Sequence, residues 1–430
     1  MSVVSFVAMI CAFFASFGEI PVPFPEPRTL NPNMTHHDRM LATIKGQPTD
    51  RIPWAPRMDL WCIANRAAGT LPKGFEGLNT VEIARKLGVA CHTTGADYTL
   101  PAGRDNSLRA LGCDNHVDFP YRIEVRGLSV ESSDDGENLR TRIRTSAGEV
   151  FTHLYRDKEM LRNGISVPFV KSYAIRSVKD LDAVGAVFEH LAVVPTPETY
   201  AAFKRRMGEQ GIAVVRGPLA ASPMHLILHE LVPMDQFYYL YHDEREALRR
   251  LAERMTPFFD ALLDVLAACD AEVVLWGANY DQDLTWPPFF QAEIAPWLRK
   301  VSARLHAAGK FLLTHTDGEN KALLPFYPAC GFDVAESVCP KPMTQCTLAE
   351  VRAGMGPKVT VWGGLPSVAL LDDSMSDPAF EVYLDELFAS IGGGERLILG
   401  VSDNVPPRAN LGRLERVKER IEAFGPAPHT

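Results

Sequence analysis

Residues 310–318 read Lys-Phe-Leu-Leu-Thr-His-Thr-Asp-Gly, a short apolar run that ends abruptly in His315, Asp317 and a glycine. A run too short for a helix, apolar on both faces and closed by polar residues, has the pattern of a strand buried inside a parallel sheet. Before it, Ala292–Ala308 is amphipathic at helical spacing; after it, Phe332–Glu336 is a second short apolar run. The same alternation continues outward in both directions. Strands are predicted at Ile52–Arg57, Ala96–Leu100, Ile212–Arg216, Glu272–Trp276, Lys310–His315, Phe332–Glu336, Lys358–Trp362 and Arg396–Val401. Amphipathic stretches such as Arg245–Ala268, Thr347–Gly354 and Pro378–Ile391 lie between them. Strands alternating with helices imply βαβ units, and eight units predict closure into a (β/α)8 TIM-type barrel.

One region breaks the rhythm. Tyr121–Arg126, Leu139–Thr145 and Glu149–Tyr155 carry strand character and are separated by the turn-rich Glu131–Asn138 and by Ser146-Ala147-Gly148. The pattern predicts an antiparallel meander, over about residues 119–170, inserted into an early βα connection. Such an insertion either covers the catalytic face or is a surface hairpin.

The 430 residues are 46% hydrophobic and 23% charged, enough apolar material for one large core, and residues 34–430 read as a single barrel domain. A net charge of -9 without a basic run argues against a nucleic-acid partner. The eight cysteines are scattered without a C-x-x-C pair, which fits a reducing compartment, the cytoplasm. Residues 2–17 are apolar but lack the cationic start of a secretory signal and fall short of a membrane span. A proline-rich stretch, Pro21–Pro32, follows, and Thr35 then opens a normal helix start. Residues 1–33 are therefore expected to be a non-core extension, with a cleaved signal or an anchor as the alternative; no membrane partner is expected.

In a parallel barrel the strand C-terminal ends face the active-site mouth, so polar residues there carry functional weight. These ends hold Arg57 and Asp59, then Asn279, Tyr280 and Asp281, then His315 and Asp317, then Glu336 and Cys339, and lastly Asp403 and Asn404. His315 and Asp317, two apart where Gly318 lets the chain turn, can reach one metal ion. The alternative is a hydrogen-bonded rim histidine beside an aspartate that caps the next segment. His225 and His229 share a helical face, but no glutamate follows His225 in the manner of a metalloprotease. The glycine-rich Ile391–Glu395 precedes a strand, at the wrong end for a phosphate cradle.

Several segments together resemble the uroporphyrinogen decarboxylase and corrinoid methyltransferase superfamily. They are Asp50-Arg51-Ile52-Pro53, Leu313-Thr314-His315-Thr316-Asp317-Gly318, Gly331-Phe332-Asp333 leading to Glu336, Val361-Trp362-Gly363-Gly364-Leu365-Pro366-Ser367, and Leu397 through Pro406. The resemblance implies a barrel enzyme that either decarboxylates a porphyrinogen or passes methyl groups between a corrinoid and an acceptor. In the zinc methyltransferases a His-x-Cys and a later Cys hold the metal; His315, Asp317 and Asp403 fall on those positions. Both thiolates are replaced by carboxylates, which makes the site harder and admits Mn²⁺, Fe²⁺ or Mg²⁺ as well as Zn²⁺.

The leading expectation is metal-assisted methyl transfer or demethylation of a small molecule, with a corrinoid on a partner protein. His315, Asp317 and Asp403 would hold the divalent ion with donors about 3 to 4 Å apart. Tyr280, Asp281 or Glu336 would serve as acid or base. Without the ion, one carboxylate should pair with Arg57 or take up a proton. The alternative is a cofactor-free decarboxylase in which Arg57 anchors a carboxylate and Asp59 or Asp403 stabilises positive charge. Arg104 and Arg408 are the other basic candidates at the mouth.

Overall fold

The computed structural model describes residues 33–99, 104–165 and 167–428. The expected extension, residues 1–33, lies outside them except for Asn33. Thr35 caps the first described helix, His36–Ile44, its side chain accepting from the Asp38 amide at 3.1 Å.

Six strands form one parallel sheet in sequence order: β1 (Val215–Arg216), β2 (Val273–Ala278), β3 (Phe311–His315), β4 (Val334–Val338), β5 (Thr360–Pro366) and β6 (Leu397–Ser402). Apart from half-buried Phe311, every residue of β2 to β6 is buried, as a sheet covered on both faces requires. The connections are helical: Arg245–Ala268 before β2, Ala295–His306 before β3, Leu348–Met355 before β5 and Asp377–Ser390 before β6. Between β3 and β4 the chain makes only the 3₁₀ turn Leu324–Ala329. Among the described residues, no helix is long and apolar enough to cross a membrane.

The structure therefore shows a six-stranded parallel sheet, and the first two expected strands are absent as regular elements. Ile52–Arg57 makes a single parallel bridge, Trp54 to Leu399 beside β6, flanked by bonds from the Leu399 amide to the Pro53 carbonyl and from the Ala55 amide to the Leu399 carbonyl, both 2.9 Å. Pro53 and Pro56 remove the amide donors that a longer ladder needs. Ala96–Leu100 is not a strand. Buried Asp97 instead gathers its neighbours, accepting from the Thr80 hydroxyl at 2.7 Å and the Thr99 hydroxyl at 2.6 Å. The strand-like contacts lie earlier, where the Ala90 amide donates to the Trp54 carbonyl (2.8 Å) and the Cys91 amide to the Gln210 carbonyl (2.7 Å).

Two cores result. The larger lies between the sheet and its helices. The smaller collects one or two side chains from each of eight segments: Ala55, Ala90, Ile212 with Val214, Val273 with Leu275, Leu313, Val334, Trp362 and Ile398, with Met40 and Ile44 of the first helix packed on them.

The insertion is larger than expected and differently paired. Tyr121–Val125 pairs antiparallel with Leu191–Pro195, outside the meander. The meander itself has four strands, Ser129–Asp134, Asn138–Thr145, Gly148–Tyr155 and Phe169–Ser172. Ser129–Asp134 occupies part of the predicted turn; all six residues are exposed, so it shows no apolar alternation.

Gly277 tests the packing beneath the site. It has φ +80°, and an added Cβ would strike the Tyr280 hydroxyl and Ala221. Gly277→Ala is expected to cost about 2 to 4 kcal/mol in urea unfolding, from overpacking added to a left-handed backbone.

Candidate active site

Parallel register sets the centre of the site. His315, the last residue of β3, is paired with Glu336 on β4, so adjacent strands bring both side chains to the same end of the sheet. Glu336 is fully buried; its Oε2 lies 2.5 Å from His315 Nδ1 and its Oε1 3.0 Å from His92 Nε2. Burial alone would raise the Glu336 pKa, but His315, and then His92, hold it well below the usual carboxylate range. Burial likewise opposes charge on His315, yet Glu336 and Asp317 hold that imidazole well above its ordinary value.

With Nδ1 engaged, His315 presents Nε2 outward. Asp317 Oδ1 lies 3.5 Å from it and Asp403 Oδ1 3.7 Å. Asp317 Oδ1 is buried without a hydrogen-bond partner. Asp403 is tied on both oxygens: Oδ1 accepts from Arg57 Nη1 at 2.9 Å and Ser337 Oγ at 3.2 Å, and Oδ2 accepts from Asn404 Nδ2 at 2.8 Å. Burial would raise the Asp403 pKa, but Arg57, followed by His315, brings it below the usual value. Arg57 holds Asp59 with its two remaining nitrogens, at 3.0 and 3.1 Å. Its charge is opposed by burial and kept by Asp59, Asp403 and Glu336.

The residues chosen from sequence thus divide into groups. Arg57, Asp59, His315, Asp317, Glu336 and Asp403 come together. The group whose donor atoms all lie within 4.8 Å of one another is His315, Glu336 and Asp403; Asp317 reaches the cluster through His315. Of the three carboxylates, Glu336 contacts Nδ1, which makes it the group that orients the imidazole, while Asp317 and Asp403 face the free nitrogen. One imidazole nitrogen with carboxylate oxygens, one of them an orphan, is a donor set that fits a hard or borderline divalent cation.

Tyr280 and Asp281 do not line the cavity. Tyr280 turns into the core, stacked on His225 at 5.7 Å and bonded to Thr314 Oγ1 at 2.8 Å, and burial raises its pKa. Asp281 ties loops together, accepting from the Asp283 amide at 2.8 Å and the Glu319 amide at 3.0 Å. Cys339 also stays off the cavity, and burial pushes its thiol up to about 12. Arg408 is 76% exposed and pairs with Asp373. The side chain of Arg104 lies outside the described residues.

Around the cluster is a cavity of about 390 Å³. It is lined by Arg57, His315, Asp317 and Asp403, by Arg109, Asp114 and Arg216, and by Glu137, Leu139, Leu154, Arg156 and Val167 of the insertion. Residues of the meander therefore line the cavity, so the insertion is more than a surface hairpin. Arg216 and Asp114 form an ion pair, Arg109 reaches Glu230 at 3.0 Å, and the Arg216 guanidinium packs over Phe119 at 5.4 Å.

Sequence reasoning missed His92, Arg109, Arg216 and Asp114. The signal for Arg216 was present, because it ends a predicted strand. His92 was hidden by placing the second strand at Ala96–Leu100, when the strand-like contacts end at Cys91. Arg109 opens the short 3₁₀ turn Arg109–Leu111 and Asp114 follows it, segments too short for periodicity to carry information.

No family model matches the sequence, and no curated protein matches it. Among solved structures, a methyltransferase from Methanosarcina mazei is similar in fold: TM-score 0.53, 14% identity, covering 91% of this chain and 99% of that one.

Proposed function

We propose that this chain is a metal-dependent enzyme that transfers or removes a methyl group on a small molecule, within the uroporphyrinogen decarboxylase and corrinoid methyltransferase superfamily. The observation that carries the reading is His315: a fully buried carboxylate holds its Nδ1, and its Nε2 faces two further carboxylates. The sequence segments quoted above and the fold shared with a methyltransferase support it. The fold in this reading is a (β/α)8 barrel, with residues 53–55 and 90–91 as two short staves joining β6 to the segment before β1. The small core drawn from eight segments supports that closure, since barrel interiors are packed by inward side chains from every strand.

His315 and Asp403 would hold the ion, with Asp317 beside them. When bound, such an ion supplies Lewis acidity, lowering the charge that builds on an acceptor or leaving heteroatom. The protein does the rest. Glu336 and His92 hold the imidazole in one orientation. Arg57 positions Asp403. The insertion and the helix Asp59–Ala68, through Leu60, Ile63, Leu139 and Leu154, wall off water and offer an apolar surface to the substrate body. A corrinoid on a partner protein is the methyl carrier in this reading.

The cofactor-free decarboxylase is disfavoured by one observation: its carboxylate anchor, Arg57, already commits its guanidinium to Asp59 and Asp403.

The test is elemental analysis of protein purified without chelators and offered Zn²⁺, Mn²⁺ or Fe²⁺. Wild type is expected to carry stoichiometric metal, and His315→Ala and Asp403→Ala to lose it by more than the roughly 10- to 100-fold in affinity that outer-shell changes cost. Wild type that never acquires metal, or variants that keep it, would sink the reading.

A further inference from the structure

Behind the cavity wall runs a hydrogen-bonded chain that begins and ends on cavity-lining residues. Asn279 Nδ2 lies 2.7 Å from His229 Nε2; His229 Nδ1 lies 3.1 Å from Glu230 Oε1; Glu230 Oε2 lies 3.0 Å from Arg109 Nη1. Asn279 and Arg109 both line the cavity. His229 and Glu230 sit on the π-helical turn Ile227–Leu231, and the His229 ring lies 5.8 Å from that of His225, the neighbour its spacing predicted.

The chain dictates where each proton lies. Glu230 is buried, and although burial opposes its charge, Arg109 and then His229 keep it ionised. A carboxylate only accepts, so His229 Nδ1 donates to Glu230, and Nε2, which faces the Asn279 amide nitrogen, accepts with its lone pair. Only the amide nitrogen of Asn279 can donate to that lone pair. Asn279 therefore cannot turn its NH₂ group into the cavity without breaking the chain, and its Oδ1 is the atom left for a ligand. The backbone holds the residue equally firmly: Asn279 has φ +60°, a conformation asparagine tolerates better than most residues, and its amide donates to the His315 carbonyl at 3.1 Å.

We propose that Asn279 is a specificity-determining residue whose carboxamide oxygen, oriented by His229, Glu230 and Arg109, selects substrates that carry an N–H or O–H donor beside the methylated group. This rests on the reading of the cavity as the substrate site. A ligand without the donor leaves Oδ1 desolvated and unpaired. A ligand with it makes a bond whose partner has no freedom to adapt, which is how a site rejects a near-isostere. His229 and Glu230 act through Asn279 and are positioning residues.

The experiment uses three matched methyl aryl ethers whose bodies suit the leucine-lined side of the cavity: 2-methoxyphenol, 2-methoxyaniline and 1,2-dimethoxybenzene. Binding to the full chain is measured by calorimetry at millimolar ligand. Wild type is expected to bind the phenol and the aniline about tenfold more tightly than the dimethoxy compound, the two arms separating O–H from N–H donors. Asn279→Gly, which suits the positive φ, should bring the ratio close to one, and Asn279→Asp, which keeps an acceptor, should retain it. His229→Leu should lower the ratio by freeing the amide to rotate, and His229→Gln, which can still accept from Asn279, should restore it. Equal binding of all three probes by wild type, or an unchanged ratio in Asn279→Gly, would overturn the proposal while leaving the cavity reading intact. Failure of all three to bind would overturn the cavity reading and the selection with it.

Discussion

Replacing Glu336 with alanine is expected to lower the free energy of unfolding by about 3 to 5 kcal/mol, read from urea titrations of the metal-free protein. The side chain is fully buried between His92 and His315, whose side chains are 2% and 10% exposed. Its removal takes the nearest counter-charge from the His315 imidazole and leaves a hole where a hydrogen bond to His315 and a close contact to His92 were made. Glu336→Gln separates these effects. It keeps the volume and one acceptor, so the stability loss should be smaller than in the alanine variant. It also deprives His315 Nδ1 of its charged partner, and the affinity for a divalent cation should fall by about 10- to 100-fold. Should Glu336→Ala unfold at the wild-type urea midpoint, the buried ion pair has no structural role. Should Glu336→Gln bind metal as wild type does, Glu336 does not orient the imidazole.

Arg57→Met is the second large effect. The guanidinium joins Asp59, at the start of the helix Asp59–Ala68, to Asp403 after β6, and so links the beginning of the described chain to its last strand. Methionine fills most of the volume and leaves two carboxylates unpaired. Because the Asp403 side chain is 39% exposed, water screens part of the loss, and about 2 to 3 kcal/mol is expected. The variant also frees Asp403 Oδ1 from its strongest partner. A saturating divalent cation should therefore stabilise Arg57→Met more than wild type; free metal at a hundredfold over Kd contributes about 2.7 kcal/mol. Differential unfolding with and without Zn²⁺ or Mn²⁺ checks both parts. A variant as stable as wild type without metal contradicts the first, and equal stabilisation by metal in both proteins contradicts the second.

The pairing of Arg57 with Asp403 matches what like charge demands at this site. Asp317, Glu336 and Asp403 lie close together, and such a cluster draws in any nearby cation. Residue types at strand ends were enough to foresee that. They were not enough to divide the carboxylates between roles. Glu336 was expected as an acid or base, and Asp317 as a ligand beside Asp403. Which imidazole nitrogen each one meets depends on cross-strand register, a property of two chain segments at once.

The strands of the sheet were legible because burial on both faces writes a continuous apolar run into the chain, as in Val273–Ala278 and Leu397–Ser402. Segments that make few backbone contacts leave no such trace. Residues 53–55 are proline-flanked, and residues 90–91 contribute only single hydrogen bonds, so the second expected strand was placed several residues late and His92 was lost with it. Ser129–Asp134, exposed throughout, was likewise invisible to any argument from periodicity.

What the amino-acid order determined by itself was the βα alternation and the polar groups at the strand ends, because each is a property of neighbours along the chain. Only the tertiary structure decided that Tyr280 turns inward under Gly277, that the insertion walls the cavity, and that Asn279, His229, Glu230 and Arg109 form one chain of hydrogen bonds. Those outcomes depend on contacts between residues tens to hundreds of positions apart, where the geometry of close packing chooses among rotamers and faces that local sequence leaves equally open.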